Sequence, residues 1–404
     1  MPKSFGLDFG TTNSAVACAS ENGVETTPVH RSVLYFEPKV ATATGNEAID
    51  RYLAADEKGR LMQSLKSFLA SRLFTGTNVY GRQYSIEDLL TVFLRDLRKI
   101  AEQKFGPFQG TIVVGRPVRY SNANNDADSE FALSRLRTAL EKAGIGPIEF
   151  EYEPVAAAYF YASMLDHDEL IVIGDFGGGT SDFSLLRVGP RQRSILGTEG
   201  VALAGDAFDS RMVHHLVSPM LGRGSEYRSI QKILPMPVWV YSDLERWHYL
   251  SLLKSNDTIQ MLRSIRYNSF EPEKLDALLH VIQNDLGFYL HRSIQTTKSE
   301  LSSQDDSFFR FNDAVVQIEA PLTRIQFEEW IDEELLKIRG CVERLFAHAG
   351  VSPNDVDHVF LTGGSSLVPA VRRIFESIFG ARKLTGGSEF TSVAQGLALR
   401  ALQR

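Results

Sequence analysis

Two short stretches carry the residues best suited to chemistry. Residues 7–16 read LDFGTTNSAV, and residues 174–185 read GDFGGGTSDFSL. In both, an apolar strand ends at Asp-Phe-Gly, a tight polar turn containing Thr follows, and a strand resumes. Glycines tolerate φ > 0 and let backbone approach a ligand closely. Successive N–H groups in such a turn form an anion-binding concavity. A carboxylate beside that concavity cannot face the anion directly, so a cation belongs between them. Two carboxylates, Asp8 and Asp175, together with phosphate oxygens suit Mg²⁺, which keeps several waters and needs few protein ligands. The amides of Gly10 to Thr12 and Gly177 to Thr180 would wrap phosphates from two sides, with hydroxyls from Thr11, Thr12 and Thr180. One such turn would read as an ordinary β-turn; the pair reads as a nucleotide site.

A third signature lies near the end, VFLTGGSSLVPAVRRIFESIFG. A strand runs into Gly363-Gly364-Ser365-Ser366 and then a helix. Paired glycines there would let a flat adenosine lie against backbone. Rival nucleotide motifs are absent from the sequence: there is no G-x-x-x-x-G-K-[ST], and no G-x-G-x-x-G follows the first strand. The Asp-Phe-Gly triplets lack the His-Arg-Asp loop that a protein kinase would add. His214-His215 has no zinc-type spacing.

The elements that must position these turns alternate. FGLDFG, SAVACA, SVLYFE, TIVVG and IEFEY read as strands. GNEAIDRYLAA and LMQSLKSFLASRLF read as short helices. The clearest helix opens at SIEDLLTVFLRDLRKIAEQKF, where Ser85 caps, Asp88 stands three residues on, and Leu89, Leu90, Phe93, Leu94, Leu97 and Ile100 share one face. Another spans about Glu130 to Lys142, and PVAAAYFYASML follows IEFEY. The acidic stretch DHDE at 166–169 marks a domain junction, after which the order recurs. LIVIGDFGGG, SDFSLL, SILGTEG and HVFLTGG read as strands. Helices are expected from Phe208, across 271–301, from Arg324 to His348, and at 367–379 and 391–403. Strands alternating with helices imply parallel sheets. The expected organisation is two homologous halves, 1–168 and 169–404, the second carrying a helical subdomain at about 210–300. The segment Pro219 to Arg266 has no counterpart in the first half. It holds Trp239 and Trp247, two of the three tryptophans, and is expected to be mostly helical. It is either a subdomain core or a partner-binding surface, since Trp and Tyr favour interfaces.

Composition bounds the rest. The chain has 404 residues, 43% of them hydrophobic and 23% charged, as in a soluble globular protein with a large core. A formal net charge of −7 leaves no basic footprint for nucleic acid. Cys18 and Cys341 stand far apart in no metal-type spacing and read as small core residues in a reducing compartment. The first residues lack the apolar core of a signal peptide, and no apolar run reaches the length of a membrane span. The expectation is a cytoplasmic monomer with no membrane and no nucleic-acid partner.

Taken together, the motifs resemble the nucleotide-binding domain of DnaK-type heat-shock chaperones, within the actin-like ATPase superfamily. GLDFGTTNS resembles that family's first phosphate loop and IGDFGGGTSDFSLL its second. EPVAAAYFYA is similar to its interdomain helix, and LAGDAFDSRMVHHL, LTRIQFEEWI and VFLTGGSSLVPAV to its later segments. The resemblance runs through nearly the whole chain in order. It implies an α/β, actin-like ATPase fold: two similar lobes with mixed, mostly parallel sheets and a nucleotide cleft between them. It implies ATP or ADP with Mg²⁺ as cofactors, and metal held by Asp8 and Asp175 through water. Phosphates would be held by Gly10, Thr11, Thr12, Asn13, Gly177, Gly178, Gly179 and Thr180. Glu153 would sit at the hinge and help place the attacking water. Lys66 would stabilise charge on the transferring phosphoryl group. Gly205, Asp206, Lys298, Ser302, Gly363, Gly364 and Ser366 would line the adenosine.

The sequence also departs from the family. Two arginines that sandwich the adenine are replaced by Ser299 and Leu367, and a ribose-side glutamate by Gln295. Each lost cation–π stack removes roughly 0.5–2 kcal/mol, so nucleotide affinity is expected to be weaker by roughly 5-fold to several hundred-fold. The sequence ends at GLALRALQR, where the family's nucleotide-binding domain ends, so no peptide-binding domain is expected within it. The expected function is Mg²⁺-dependent ATP binding and slow hydrolysis, on the order of 10⁻⁴ to 10⁻² s⁻¹ without an arginine finger, with lobe closure read by a protein partner or client. The alternatives are a nucleotide-binding switch with little hydrolysis, an actin-like filament protein and a sugar kinase.

Overall fold

The computed structural model describes residues 3–55, 59–189, 193–230, 232–246, 249, 253–386 and 391–403. Its contacts divide the chain into two compact units, Met1–Gly205 with Leu335–Arg404, and Asp206–Glu334.

The first unit is built twice from the same plan. In the first half, β1 (Ser4–Phe9) pairs antiparallel with β2 (Asn13–Ser20), and β2 antiparallel with β3 (Gly23–Thr26). On its other side β1 runs parallel to β4 (Ile112–Arg116), and β4 parallel to β5 (Ile148–Tyr152). In the second half, β6 (Glu169–Phe176) pairs antiparallel with β7 (Ser181–Val188), and β7 with β8 (Arg193–Val201). Again β6 runs parallel to β9 (His358–Thr362), and β9 parallel to β10 (Leu384–Gly386). The strand orders β5-β4-β1-β2-β3 and β10-β9-β6-β7-β8 are the same order. The weak DFG repeat in the sequence therefore marks a duplicated sheet, and each sheet is mixed.

Apolar strands buried on both faces need helices against them. Helix α1 (Ile86–Phe105) begins with the expected capping box, Ser85 and Asp88 exchanging backbone bonds, and buries Leu89, Leu90, Phe93, Leu94 and Leu97. Helix α2 is Asp126–Lys142, α3 Glu153–Ala162 and α4 Ser392–Leu402. Helices α3 and α4 pack with strands of both sheets in one core that includes Val113, Val155, Ala157, Ile171, Ile173, Val393 and Leu397. The small residues of α3, Ala156, Ala157 and Ala158, let α4 come close. A Cβ on Gly396 would lie 1.6 Å from the Ala156 carbonyl oxygen. Cys18 and Cys341 are buried free thiols, as expected.

Three local expectations change. LMQSLKSFLASRLF is a strand, Arg60–Gln63, followed by a 3₁₀ turn, Leu65–Phe68. Edge pairing of Arg60–Gln63 with Val33–Phe36 outweighs the helical spacing of its leucines. The stretch from Arg324 is two helices, Arg324–Trp330 and Asp332–Ala349. The segment 219–266 opens with a two-stranded ribbon, Glu226–Arg228 with Ile233–Pro235, before helices Val238–Leu244 and Asn256–Tyr267. Within it, residues 231, 247, 248 and 250–252 lie outside the described residues, Trp247 among them.

The second unit adds helices Pro272–Gln283 and Gly287–Ser303 and the hairpin Asp306–Asn312 with Gln317–Thr323. Among the described residues no helix is long and apolar enough to cross a membrane.

Candidate functional site

The two Asp-Phe-Gly turns have the same register. Phe9 pairs with Ser14 and Phe176 with Ser181, so each turn places four residues between paired positions. Asp8 stands opposite Ala15, whereas Asp175 stands opposite Asp182. In the first turn, the Ser32 hydroxyl donates to the Gly10 carbonyl at 2.8 Å and the Ser32 amide to the Thr12 carbonyl at 2.9 Å. In the second, the Gly177 amide donates to the Thr180 carbonyl at 2.9 Å and closes the turn. That engagement removes Gly177 from the amides expected to face a phosphate. The glycine requirement is one of space rather than of left-handed backbone. A Cβ on Gly10 would lie 2.2 Å from the Asn13 carbonyl oxygen, and one on Gly179 2.5 Å from the Ser121 hydroxyl.

Lys66 and Glu153 meet in the same unit. The Lys66 ammonium donates to Glu153 Oε1 at 2.7 Å, with both side chains buried. Glu153 is the first residue of α3. Gly115 on β4 leaves it room, since a Cβ there would lie 3.1 Å from Glu153 Cγ. Lys66 sits on the 3₁₀ turn, and that turn is held from outside. Asn122 donates to the Ser67 carbonyl at 3.0 Å. The buried Arg135 of α2 donates to the carbonyls of Leu69, Ser71 and Phe74 at 3.1–3.3 Å, and to Glu87 Oε1 at 2.7 Å. One guanidinium thus fixes the chain that leaves Lys66.

The carboxylates feel one another. Burial pushes Asp8 well above the usual carboxylate range, with Glu153 and Asp175 adding to the rise and Lys66 opposing it. Burial raises Asp175 to about 8, reinforced by Glu153 and Asp182 and opposed by Lys66. Burial raises Asp182 to about 7, reinforced by Glu153. Against that rise, the amides of Val118 and Arg119 donate to Asp182 Oδ1 at 2.8 and 3.3 Å. For Lys66, burial works downward, but Glu153, Asp8 and Asp182 outweigh it and the ammonium titrates above its ordinary value. Tyr120 is pushed up by burial and by Glu153, and its hydroxyl has no hydrogen-bond partner among the described residues.

Four carboxylates, Glu153 and Asp182 buried and Asp8 and Asp175 partly so, therefore share Lys66 as a counter-charge, and that deficit is what a divalent cation would fill. Among the described residues no three His, Cys, Asp or Glu side chains converge to ligate a metal by themselves. A hard cation held through water and phosphate oxygens, with one or two carboxylates, needs no such triad. The donor set fits Mg²⁺.

Comparison with known proteins now bears on this geometry. The Hsp70 protein family matches residues 4–227 and 284–402. The chain belongs to the Hsp70 family. It is similar to the chaperone protein DnaK of Deinococcus proteolyticus, 26% identical over 426 residues, covering 99% of this chain and 59% of that protein. It is also similar to DnaK of Thermus thermophilus, 25% identical over 430 residues, covering 99% of this chain and 61% of the relative. The chain thus spans about 60% of the length of these relatives. The Hsp70 match, with its actin-like ATPase fold, accounts for the duplicated sheets.

Within this Hsp70-family chain the remaining expected residues are placed as follows. Gly363 adopts φ +83° directly after β9, and a Cβ on it would lie 2.0 Å from the Phe176 carbonyl oxygen, so it packs against the end of the strand that carries Asp175. Gly364 and Ser366 lie on the 3₁₀ turn that follows, and the Ser366 hydroxyl donates back to the Gly363 carbonyl at 2.7 Å. Gly205 opens the helix Gly205–Met212 in the first unit, while Asp206, Lys298 and Ser302 belong to the second. Lys298 pairs with the buried Asp209 at 2.5 Å, and the Ser302 hydroxyl donates to the Lys298 carbonyl at 3.1 Å. Leu367 is half exposed.

Sequence reasoning missed Asp182, Tyr120 and Arg135. Asp182 had a signal, as the acidic residue where the first repeat carries Ala15. Tyr120 and Arg135 had none, because their roles depend on loops and helices that meet only in the fold.

Proposed function

We propose that this chain binds ATP with Mg²⁺ and hydrolyses it slowly, as an ATPase of chaperone type. The observation that carries the reading is the cluster of Asp8, Lys66, Glu153, Asp175 and Asp182, with Lys66, Glu153 and Asp182 buried, flanked by two turns of identical register. The turns at Gly10–Asn13 and Gly178–Thr180 would hold the phosphates through amides and hydroxyls. Bound Mg²⁺, held by Asp8 and Asp175 through water, would neutralise charge on the β- and γ-phosphate oxygens. Lys66, kept protonated by its carboxylate neighbours, would stabilise charge on the transferring phosphoryl group. Glu153 would orient Lys66. Asp182, with Oδ1 held by two amides and its pKa near 7, is suited to accept a proton from the attacking water. The bound nucleotide would then set a conformation that a protein partner reads.

The test is single-turnover conversion of ATP to ADP with protein in excess and Mg²⁺ present. Slow, Mg²⁺-dependent product that disappears in Asp175→Asn is the expected result. ATP recovered intact after binding would replace hydrolysis by a switch that holds nucleotide, the reading that the altered Gln295, Ser299 and Leu367 positions favour.

A further inference from the structure

The second unit contains a cavity of about 410 Å³ that the nucleotide reading does not use. One wall is a π-helical turn, Val213–Val217, which carries His214 and His215. Such turns insert a residue into a helix at a cost in regularity and are frequent at functional sites. The His215 ring stacks on Trp330, centroids 4.4 Å apart and planes 12° from parallel. His214 Nδ1 lies 3.0 Å from Glu245 Oε1. The same oxygen accepts the Ser218 hydroxyl at 3.1 Å and the Arg223 guanidinium. One carboxylate oxygen thus holds a serine, a histidine and an arginine in place around the cavity.

Met236, Val238 and Tyr241 add an apolar lining. The Tyr241 hydroxyl donates to the Leu221 carbonyl at 3.0 Å, so its polar end is engaged. These three residues and Glu245 fall in 228–283, the stretch that the Hsp70 match leaves out. His215 titrates below an ordinary histidine, through burial first and then through His214, Arg211 and Arg223, so its ring serves the cavity as a neutral imidazole. Arg211 is itself tied to Glu333 and Glu334. Arg223 is the one Lys or Arg among the described residues lining the cavity, and its guanidinium is already shared with Glu245, so the floor suits a monoanion better than a polyanion. A mostly apolar cavity with a few convergent polar groups is the usual form of a small-ligand site.

We propose that this cavity binds a carboxylate with an apolar body, the carboxylate at Arg223 and His215 and the body against Met236, Val238 and Tyr241. The carboxylate can belong to a free small acid or to the last residue of a peptide, and the test separates the two.

The full chain is titrated calorimetrically with N-acetyl-L-leucine, with N-acetyl-L-leucinamide and with a hexapeptide ending in leucine. The acid binds about 10- to 100-fold more tightly than the neutral amide, the worth of a charge-assisted hydrogen bond. Arg223→Gln abolishes that preference. Because this change also leaves Glu245 without its arginine, Val238→Asp provides a second variant: Val238 is 66% exposed, so the fold is kept while a negative charge is set at the rim. It weakens the acid more than the amide, because both lose the contact with Val238 and only the acid meets the like charge. A hexapeptide that binds more tightly than the acid assigns the site to a chain end, and one that binds more weakly assigns it to a free acid. Equal binding of acid and amide, no binding of either at about 10 mM, a range where even weak sites fill, or an acid preference that survives both variants overturns the proposal.

Discussion

The Lys66–Glu153 pair gives the sharpest test of the electrostatics, because its two halves are not equivalent. At 2.7 Å the pair attracts by about 6 kcal/mol at an effective dielectric of about 20. Desolvating two ions costs several kcal/mol each and offsets most of that. Lys66→Met removes the cation that also faces Asp8 and Asp182, and leaves four buried or partly buried carboxylates without it. The expected cost is about 3–5 kcal/mol, that of breaking a buried pair. Glu153→Gln removes the same attraction but also relieves the push that Glu153 exerts on Asp8, Asp175 and Asp182. Lys66 keeps Asp8 and Asp182 as counter-charges. The expected cost is therefore about 0–2 kcal/mol, with strong coupling in the double variant. The assay is urea unfolding of nucleotide-free protein, followed by far-UV circular dichroism and by tryptophan fluorescence. All three tryptophans, Trp239, Trp247 and Trp330, belong to the second unit, so the loss should show in the dichroism and spare the fluorescence transition. A Glu153→Gln variant as unstable as Lys66→Met would refute the account of shared counter-charge.

Other outcomes follow from neighbouring residues. Asp182→Asn should retain Mg²⁺-ATP binding and lose about 10²–10⁴-fold in single-turnover rate, the usual worth of a general base; unchanged turnover would remove it from the chemistry. Gly200→Ala sets a Cβ 2.7 Å from Asp182 Oδ1, which two amides hold, so turnover should fall and stability drop by about 1–3 kcal/mol; a silent variant in both assays would show that this oxygen can move freely. Arg135→Met leaves three carbonyls without their donor, and hydrogen exchange should rise at residues 66–74 ahead of the rest of the first unit; uniform exchange would deny Arg135 its local role. His30 lies below an ordinary histidine because it is buried, Asp96 opposing the shift. It is neutral in the fold and charges on unfolding, so its contribution is present above about pH 6.5 and lost as pH falls below it. Wild-type stability should fall more between pH 7 and pH 5 than that of His30→Gln, and parallel profiles would exclude His30 as the cause.

The sequence by itself determined the repeated Asp-Phe-Gly turns, the strands that carry them, the capping box at Ser85 and, through whole-chain motif order, the Hsp70 family. These are local features: turn chemistry, apolar runs and caps are written in neighbouring residues and survive without knowledge of what packs on them. The 3₁₀ turn under Lys66 was hidden because LMQSLKSFLASRLF has helical spacing, yet Arg60–Gln63 is claimed by pairing with Val33–Phe36, a partner 24 or more positions upstream in the chain. Only the tertiary structure brought Val118 and Arg119 onto Asp182, Arg135 onto the carbonyls after Lys66, and Glu245 beneath His214 and Arg223. Charge and hydrogen bonding at these places depend on burial and on distances between residues remote in sequence, and no spacing along the chain encodes either.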